Sequence, residues 1–109
     1  SGLGMRLNQV ASGLTDLPVE VEYHTDWSID DLSDAVRRAA FPIVGVDMRY
    51  IDGLFAFHAV VAANIVSDRM VVHDPLNAQN PRVISLQAFE EAWESADREC
   101  ITIEMKKRV

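Results

Sequence analysis

Cysteine is almost missing from this sequence of 109 residues, whose one cysteine is Cys100. An internal disulfide is therefore excluded, and so little cysteine is typical of a reducing compartment. Long apolar runs are missing as well, because no stretch reaches the length of a membrane span and no signal peptide is visible. These absences predict a cytoplasmic protein without a membrane-inserted segment.

Positive charge is also scarce. The chain has 10 lysine and arginine residues against 17 acidic residues, which makes its formal net charge −7. Such a balance repels nucleic acid and anionic membrane surfaces, so we expect neither as a partner. The histidines His24, His58 and His73 do not occur at spacings typical of metal ligands. We therefore expect no metal ion and no other cofactor.

Length and composition indicate a single globular domain. The hydrophobic content of 49% and the charged content of 25% are ordinary for a soluble protein, and 109 residues can enclose one core. The first four residues, Ser1-Gly2-Leu3-Gly4, resemble a vector remnant in front of Met5. We expect the domain to occupy residues 5–109.

Apolar periodicity and turn residues predict the order α-β-α-β-β-β-α-β. The predicted elements are a helix at 5–14, a strand at 18–24, a helix behind Ser28, strands at 43–46, 57–66 and 69–73, a helix at 86–95 and a strand at 99–105. Residues 76–82 are expected to form a polar loop. Three successive strands in the middle predict an antiparallel sheet with helices packed beside it, an α+β domain. The strands at 57–66 and 69–73 are nearly continuously apolar, which predicts cover on both faces.

The two main helices show start signals and buried stripes. Ser28 with Asp31 predicts a capping box, and Pro42 is expected to end the helix that follows. Its buried stripe has the spacing i, i+3, i+4 and i+7, at Leu32, Ala35, Val36 and Ala39. Ser85 is expected to cap the second helix, whose inner stripe contains Leu86, Phe89 and Trp93.

A histidine and an aspartate mark neighbouring predicted strands. His58 is near the start of one strand, and Asp74 follows the end of the next. A histidine beside a carboxylate forms two members of a Cys-His-Asp catalytic set. Each residue also has an ordinary structural explanation: His58 as a hydrogen-bonded strand histidine, and Asp74-Pro75 as a common end to a strand.

The motifs around these residues resemble a known family. The segments "FPIVGVD", "FHAVVAANI", "MVVHDPLN" and "VISLQAFEEAW" are similar to the papain-like peptidases that process bacteriocins by cleaving double-glycine leader peptides. The resemblance covers about residues 28–104 and extends to other bacterial papain-like peptidases. It implies a papain-like fold, in which His58 is the general base and Asp74 orients its imidazole.

The nucleophile of that family is missing from the expected place. The resemblance puts a cysteine, preceded by a glutamine, on an upstream helix, but here Gln9 is followed by Val10-Ala11-Ser12. Cys100 lies in the closing strand beside acidic residues, which disfavour a thiolate. The expected fold is therefore a truncated papain-like domain. Three functions stay open: a non-catalytic peptide- or protein-binding module, part of a working cysteine peptidase whose cysteine lies upstream or on another chain, and an unrelated small α+β binding domain.

Aromatic residues around the segment before His58 are candidate substrate contacts. Tyr50, Phe55 and Phe57 would border the substrate cleft of a papain-like domain, although such residues also tuck onto a core. Without the nucleophile helix, the sheet face that it covers would be apolar and exposed. Exposed apolar faces are commonly covered by a partner, so we expect a homodimer.

Overall fold

The structure, a computed structural model, describes residues 19–75 and 80–105. Within these ranges it contains six strands and two α-helices. They are β1 (Val19–His24), α1 (Ile29–Arg37), β2 (Ile43–Asp47), β3 (Phe57–Val66), β4 (Arg69–His73), β5 (Arg82–Ser85), α2 (Leu86–Ser95) and β6 (Cys100–Met105). A short 3₁₀ helix, Met48–Tyr50, follows β2. The predicted vector remnant at residues 1–4 and the predicted helix at 5–14 lie outside the described residues.

The six strands form one antiparallel sheet in the order β1-β6-β2-β3-β4-β5. The α+β class with an antiparallel sheet is therefore confirmed. The predicted hairpin is also confirmed, because β3 and β4 turn at Ser67-Asp68 with the predicted bounds. No helix in the described ranges is long and apolar enough to cross a membrane.

Two local predictions are wrong. Residue 82 was expected in a loop, but Arg82–Ser85 form the edge strand β5, which pairs with β4. The stripe of α1 was expected to include Ala39, but the helix ends at Arg37 and Ala39 is exposed with a φ of 56°. The left-handed conformation of Ala39 turns the chain out of the helix before Pro42 is reached.

Both helices pack against the same face of the sheet. The capping box of α1 is present as predicted, with Ser28 Oγ accepting from the Asp31 backbone N–H at 3.1 Å. The core between the helices and the sheet includes Leu32 of α1, Phe89 and Trp93 of α2, and alternate residues of the central strands. Phe89 and Trp93 are fully buried, as their stripe predicted. We call this side of the sheet the helix face.

The opposite side of the sheet, which we call the second face, is also apolar. Directly paired residues of antiparallel strands project to the same side. One row crosses five strands through Tyr23, Ile101, Ile43, Val61 and His73. All of its members except His73 are apolar or aromatic. The sequence predicts that the central strands are covered on both faces, but the two described helices do not cover this one.

Candidate functional site

His58 and Asp74 lie on neighbouring strands and on the same side of the sheet. His58 pairs with Val46, a residue of the buried core, and therefore projects toward the helix face. On β4 the last paired residue is His73, opposite Val61. If this register continues by one residue, Asp74 lies opposite Val60. Val60 and His58 are two residues apart in β3, so Asp74 and His58 project to the same side of the sheet. The register therefore puts both residues on one side of adjacent strands.

In the described ranges, the Nδ1 atom of the His58 imidazole is buried and has no hydrogen-bond partner. Asp74 is buried, and its backbone N–H donates to Asn80 Oδ1 at 2.8 Å while its carbonyl accepts from Asn80 Nδ2 at 2.8 Å. The Asn80 side chain thus fixes the backbone of Asp74. The roles of His58 as base and Asp74 as orienting group stay predictions.

A second carboxylate, Asp52, lies near His58. Arg82 Nη1 donates to Asp52 Oδ2 at 2.8 Å, and Nη2 donates to Asp52 Oδ1. The hydrogen bonds from Arg82 lower the pKa of Asp52, and the charge of His58 acts in the same direction. Conversely, Asp52 raises the pKa of Arg82, with a smaller contribution from Asp74. The end of the sheet therefore brings together His58, Asp52, Arg82 and Asp74.

The segment that precedes His58 is anchored through a buried carboxylate. Asp47, at the end of β2, is only 1% exposed. Arg49 donates from Nε to its two oxygens at 3.0 and 3.1 Å and from Nη2 at 2.5 Å. The Ser95 hydroxyl, at the end of α2, donates to the same carboxylate at 2.7 Å. Because the bonds from Arg49 favour the ionised form more than burial opposes it, the pKa of Asp47 falls to about 2.

Residues 48–56, which we call the 48–56 loop, present apolar side chains to solvent. Phe55 is 89% exposed and Leu54 is 56% exposed. Tyr50 is also exposed, whereas Phe57 begins β3 and is half-buried. Of the three predicted substrate contacts, Tyr50 and Phe55 are thus available on the surface, and Leu54 joins them. Substrate contact by these residues stays a prediction.

Cys100 lies in the core, apart from His58. It is fully buried and pairs with Val44 of β2, so that β2 separates its strand from β3. Burial raises the pKa of the Cys100 thiol to about 12. The sequence predicted a disfavoured thiolate because of acidic neighbours, whereas the structure attributes the shift to desolvation. A thiol in this state is neither ionised nor accessible at neutral pH.

Potential metal ligands do not gather within residues 19–75 and 80–105. No three histidine, cysteine, aspartate or glutamate side chains of these ranges are grouped as a metal ion would require. His73 is exposed on the second face. His24 lies in the edge strand β1, stacked on Trp27 with ring centroids 4.1 Å apart.

Sequence reasoning missed Asp52 and Arg82 as members of the site. They are 30 residues apart, and no local pattern connects them. It also missed Asp47 and Arg49, although an aspartate that accepts a backbone N–H two residues later is a known turn signal. That signal at the end of a strand could have indicated an anchored turn before His58.

Comparison with known proteins finds similarity to solved structures. No protein-family model matches the sequence, and no curated protein is similar to it. The fold is similar to the crystal structure of a candidate C39-like peptidase from Bacillus anthracis, with a TM-score of 0.74 and 17% sequence identity. The likeness covers 88% of this chain and 56% of that chain, so this chain spans little more than half of that protein. At this identity the likeness shows the fold: the domain has the α+β architecture of a C39-like peptidase.

Proposed function

We propose that this chain is a papain-like, peptidase-related domain that binds an extended peptide beside His58 without cleaving it. The observation that carries the proposal is the state of Cys100. The thiol is fully buried, its pKa is raised to about 12, and its strand is separated from that of His58 by β2. Acyl-enzyme formation needs an accessible thiolate within reach of the base, and Cys100 meets neither condition.

The rest of the site is suited to a peptide. His58, Asp52, Arg82 and Asp74 provide hydrogen-bonding and charged groups at one end of the sheet. The exposed apolar side chains of the 48–56 loop lie next to them in the chain. Protein ligands are commonly held by an apolar surface with a few oriented polar groups, and this end of the sheet provides both.

The test combines binding with mass spectrometry. The full chain is screened against a random peptide-display library, and selected peptides, together with a double-glycine leader-like peptide, are incubated with it. We expect the library to yield binders, and we expect every peptide to keep its intact mass whether or not iodoacetamide is present. Cleavage that disappears in Cys100→Ala, or failure to select any peptide, would contradict the proposal.

A second candidate function is the base-bearing part of a working cysteine peptidase. The observation that favours it is the buried Nδ1 atom of His58, which has no partner in the described ranges. Burying an unpaired ring nitrogen is unfavourable, and a thiol supplied from upstream sequence or from another chain would satisfy it. The test is the intact mass of the native protein from its source cells. A larger mass with an upstream cysteine would favour this function, and a start at Met5 would exclude an upstream source.

We further propose a cytoplasmic homodimer with a peptide or protein partner. The second face supports self-association, because Val83 and Met105 are exposed there and Val71 and Val61 are only half-buried. Net negative charge supports a partner other than nucleic acid or an anionic membrane.

A further inference from the structure

We infer that the 48–56 loop is a preorganised recognition surface, and that its ligand is a peptide segment with aromatic or branched aliphatic side chains rather than lysine or arginine. The inference rests on the proposed peptide-binding function and names the ligand chemistry at that site. The surface consists of Tyr50, Leu54 and Phe55.

The loop is fixed from its two ends and its middle. The backbone N–H of Met48 donates to Ala56 O at 2.8 Å, which closes the base of the loop. Inside it, the Met48 carbonyl accepts from the N–H groups of residues 51, 52 and 53 at 2.8 to 3.1 Å. The backbone of the loop is therefore already ordered by its own hydrogen bonds.

Side-chain pairs connect this loop to both flanks of the domain. Asp47 binds Arg49 and also accepts from Ser95, which connects the start of the loop to α2. Asp52 binds Arg82, which connects the middle of the loop to β5. A loop held in this way loses little conformational entropy when a ligand binds, and that loss is a major cost of recognition by loops.

The apolar side chains of this ordered segment are strongly exposed. Phe55 keeps 89% of its surface in water, with Leu54 exposed beside it in sequence. Large apolar side chains that could turn inward normally do so, and contiguous exposed ones commonly mark binding sites. Because the hydrogen bonds keep the loop in this conformation, the exposure is a property of the folded domain.

Arg49 determines which ligand the Phe55 ring prefers. The guanidinium carbon of Arg49 lies 5.6 Å from the ring centroid, a cation–π contact that occupies one face. With most of the ring exposed, the opposite face is open to a ligand. A second cation there would compete with Arg49 for the same π electrons. An aromatic or aliphatic side chain avoids this competition and adds apolar contact, so the open face selects for such side chains.

The experiment uses the full chain and labelled Gly-Ser peptides that each carry a pair of tyrosine, leucine, lysine or extra serine residues. Fluorescence anisotropy measures their binding to the wild-type chain, to Phe55→Ser, to Leu54→Ser and to the control Val66→Ser. Val66 is matched to Leu54 in exposure, 54% against 56%, but lies at the far end of β3 from His58. Circular dichroism and thermal unfolding establish that each variant is folded.

We expect the tyrosine and leucine peptides to bind more tightly than the lysine and serine peptides. Phe55→Ser and Leu54→Ser should each weaken that binding by about tenfold or more, whereas Val66→Ser should leave it unchanged. Binding that does not respond to either loop variant, or a preference for lysine, would overturn the inference while leaving peptide binding itself intact. A folded wild-type chain that binds no peptide of this set or of the display library would overturn the proposed function as well.

Discussion

At the scale of single residues, Asp47 is the group whose burial and charge have the clearest energetic consequence. It is almost fully buried and ionised, and the bonds from Arg49 and Ser95 satisfy it. Removing one partner of such an arrangement leaves buried polar groups without compensation. Asp47 therefore stabilises the turn before His58 through its charge.

We predict that Asp47→Asn lowers the free energy of unfolding by about 1–3 kcal/mol at neutral pH, as is usual for a lost charged hydrogen bond. The pKa of Asp47 is about 2 in the folded protein against the ordinary value of 3.8. A depressed folded pKa contributes stability that is present above pH 3.8 and lost as the pH falls toward 2. Urea unfolding across this range should give a steeper fall for the wild type than for Asp47→Asn.

The control for this experiment is Asp34→Asn. It removes an exposed carboxylate whose bond to Arg37, at 3.2 Å, is a surface pair. Such pairs contribute little, so the change in stability should stay within about 0.5 kcal/mol. Equal losses in the two variants would show that the buried Asp47 network does not carry the predicted stabilisation.

Cys100 provides a second test at this scale. Its burial and its raised pKa, about 12, predict that native protein at mildly alkaline pH does not react with Ellman's reagent. One thiol should appear per chain only after unfolding in urea. Fast reaction in the native state would mean that the thiol is accessible and would reopen a reactive role for Cys100.

At the scale of elements, the start of α1 depends on its capping box. Ser28 Oγ accepts from the Asp31 N–H at 3.1 Å, and Asp31 Oδ2 accepts from the Ser28 N–H at 2.9 Å. We predict that Ser28→Ala destabilises the domain by about 1 kcal/mol. Ser33→Ala makes the same chemical change inside α1, where alanine is the better helix former, and should be neutral or slightly stabilising. Thermal unfolding measures both variants. An equal fall in their melting temperatures would contradict the prediction.

The same elements show why some of the fold could be predicted from sequence and some could not. The hairpin of β3 and β4 was predicted with its turn, because apolar runs flank Ser67-Asp68. The strand β5 was missed because Arg82–Ser85 is only four residues long, too short for an alternation to be distinctive. The end of α1 was misplaced because Ala39 continues the helical period although its backbone does not.

The candidate site shows the same division. His58 and Asp74 could be placed on neighbouring strands because each lies in or beside an apolar run with a clear end. The pairing of Asp52 with Arg82 could not be predicted, since it depends on β5 lying beside β4. Local sequence patterns therefore identified His58 and Asp74, whereas the identification of Arg82 required knowledge of the sheet topology.

At the scale of the whole molecule, the sheet has two apolar faces of different kinds. The helix face is closed by Leu32, Phe89 and Trp93. The second face has branched aliphatic side chains in register, with Val71 opposite Val83 and Val21 opposite Ile103. A surface of this kind is suited to a copy of the same chain, because two apolar faces bury one another in a symmetric interface.

We predict that the wild-type chain is a dimer at micromolar concentration and that Val83→Glu makes it a monomer. Val83 is 53% exposed on the edge strand β5, so a charge there should leave the domain folded while opposing burial of the second face. A stable interface needs about 800 Å² from each partner, which several strands of this face would have to provide together. Leu54→Glu, at 56% exposure in the 48–56 loop, is the matched control and should remain dimeric. The measurement is sedimentation equilibrium. A monomeric wild-type chain at these concentrations would show that the second face does not mediate self-association. If both variants became monomers to the same extent, the interface would not be specific to the second face.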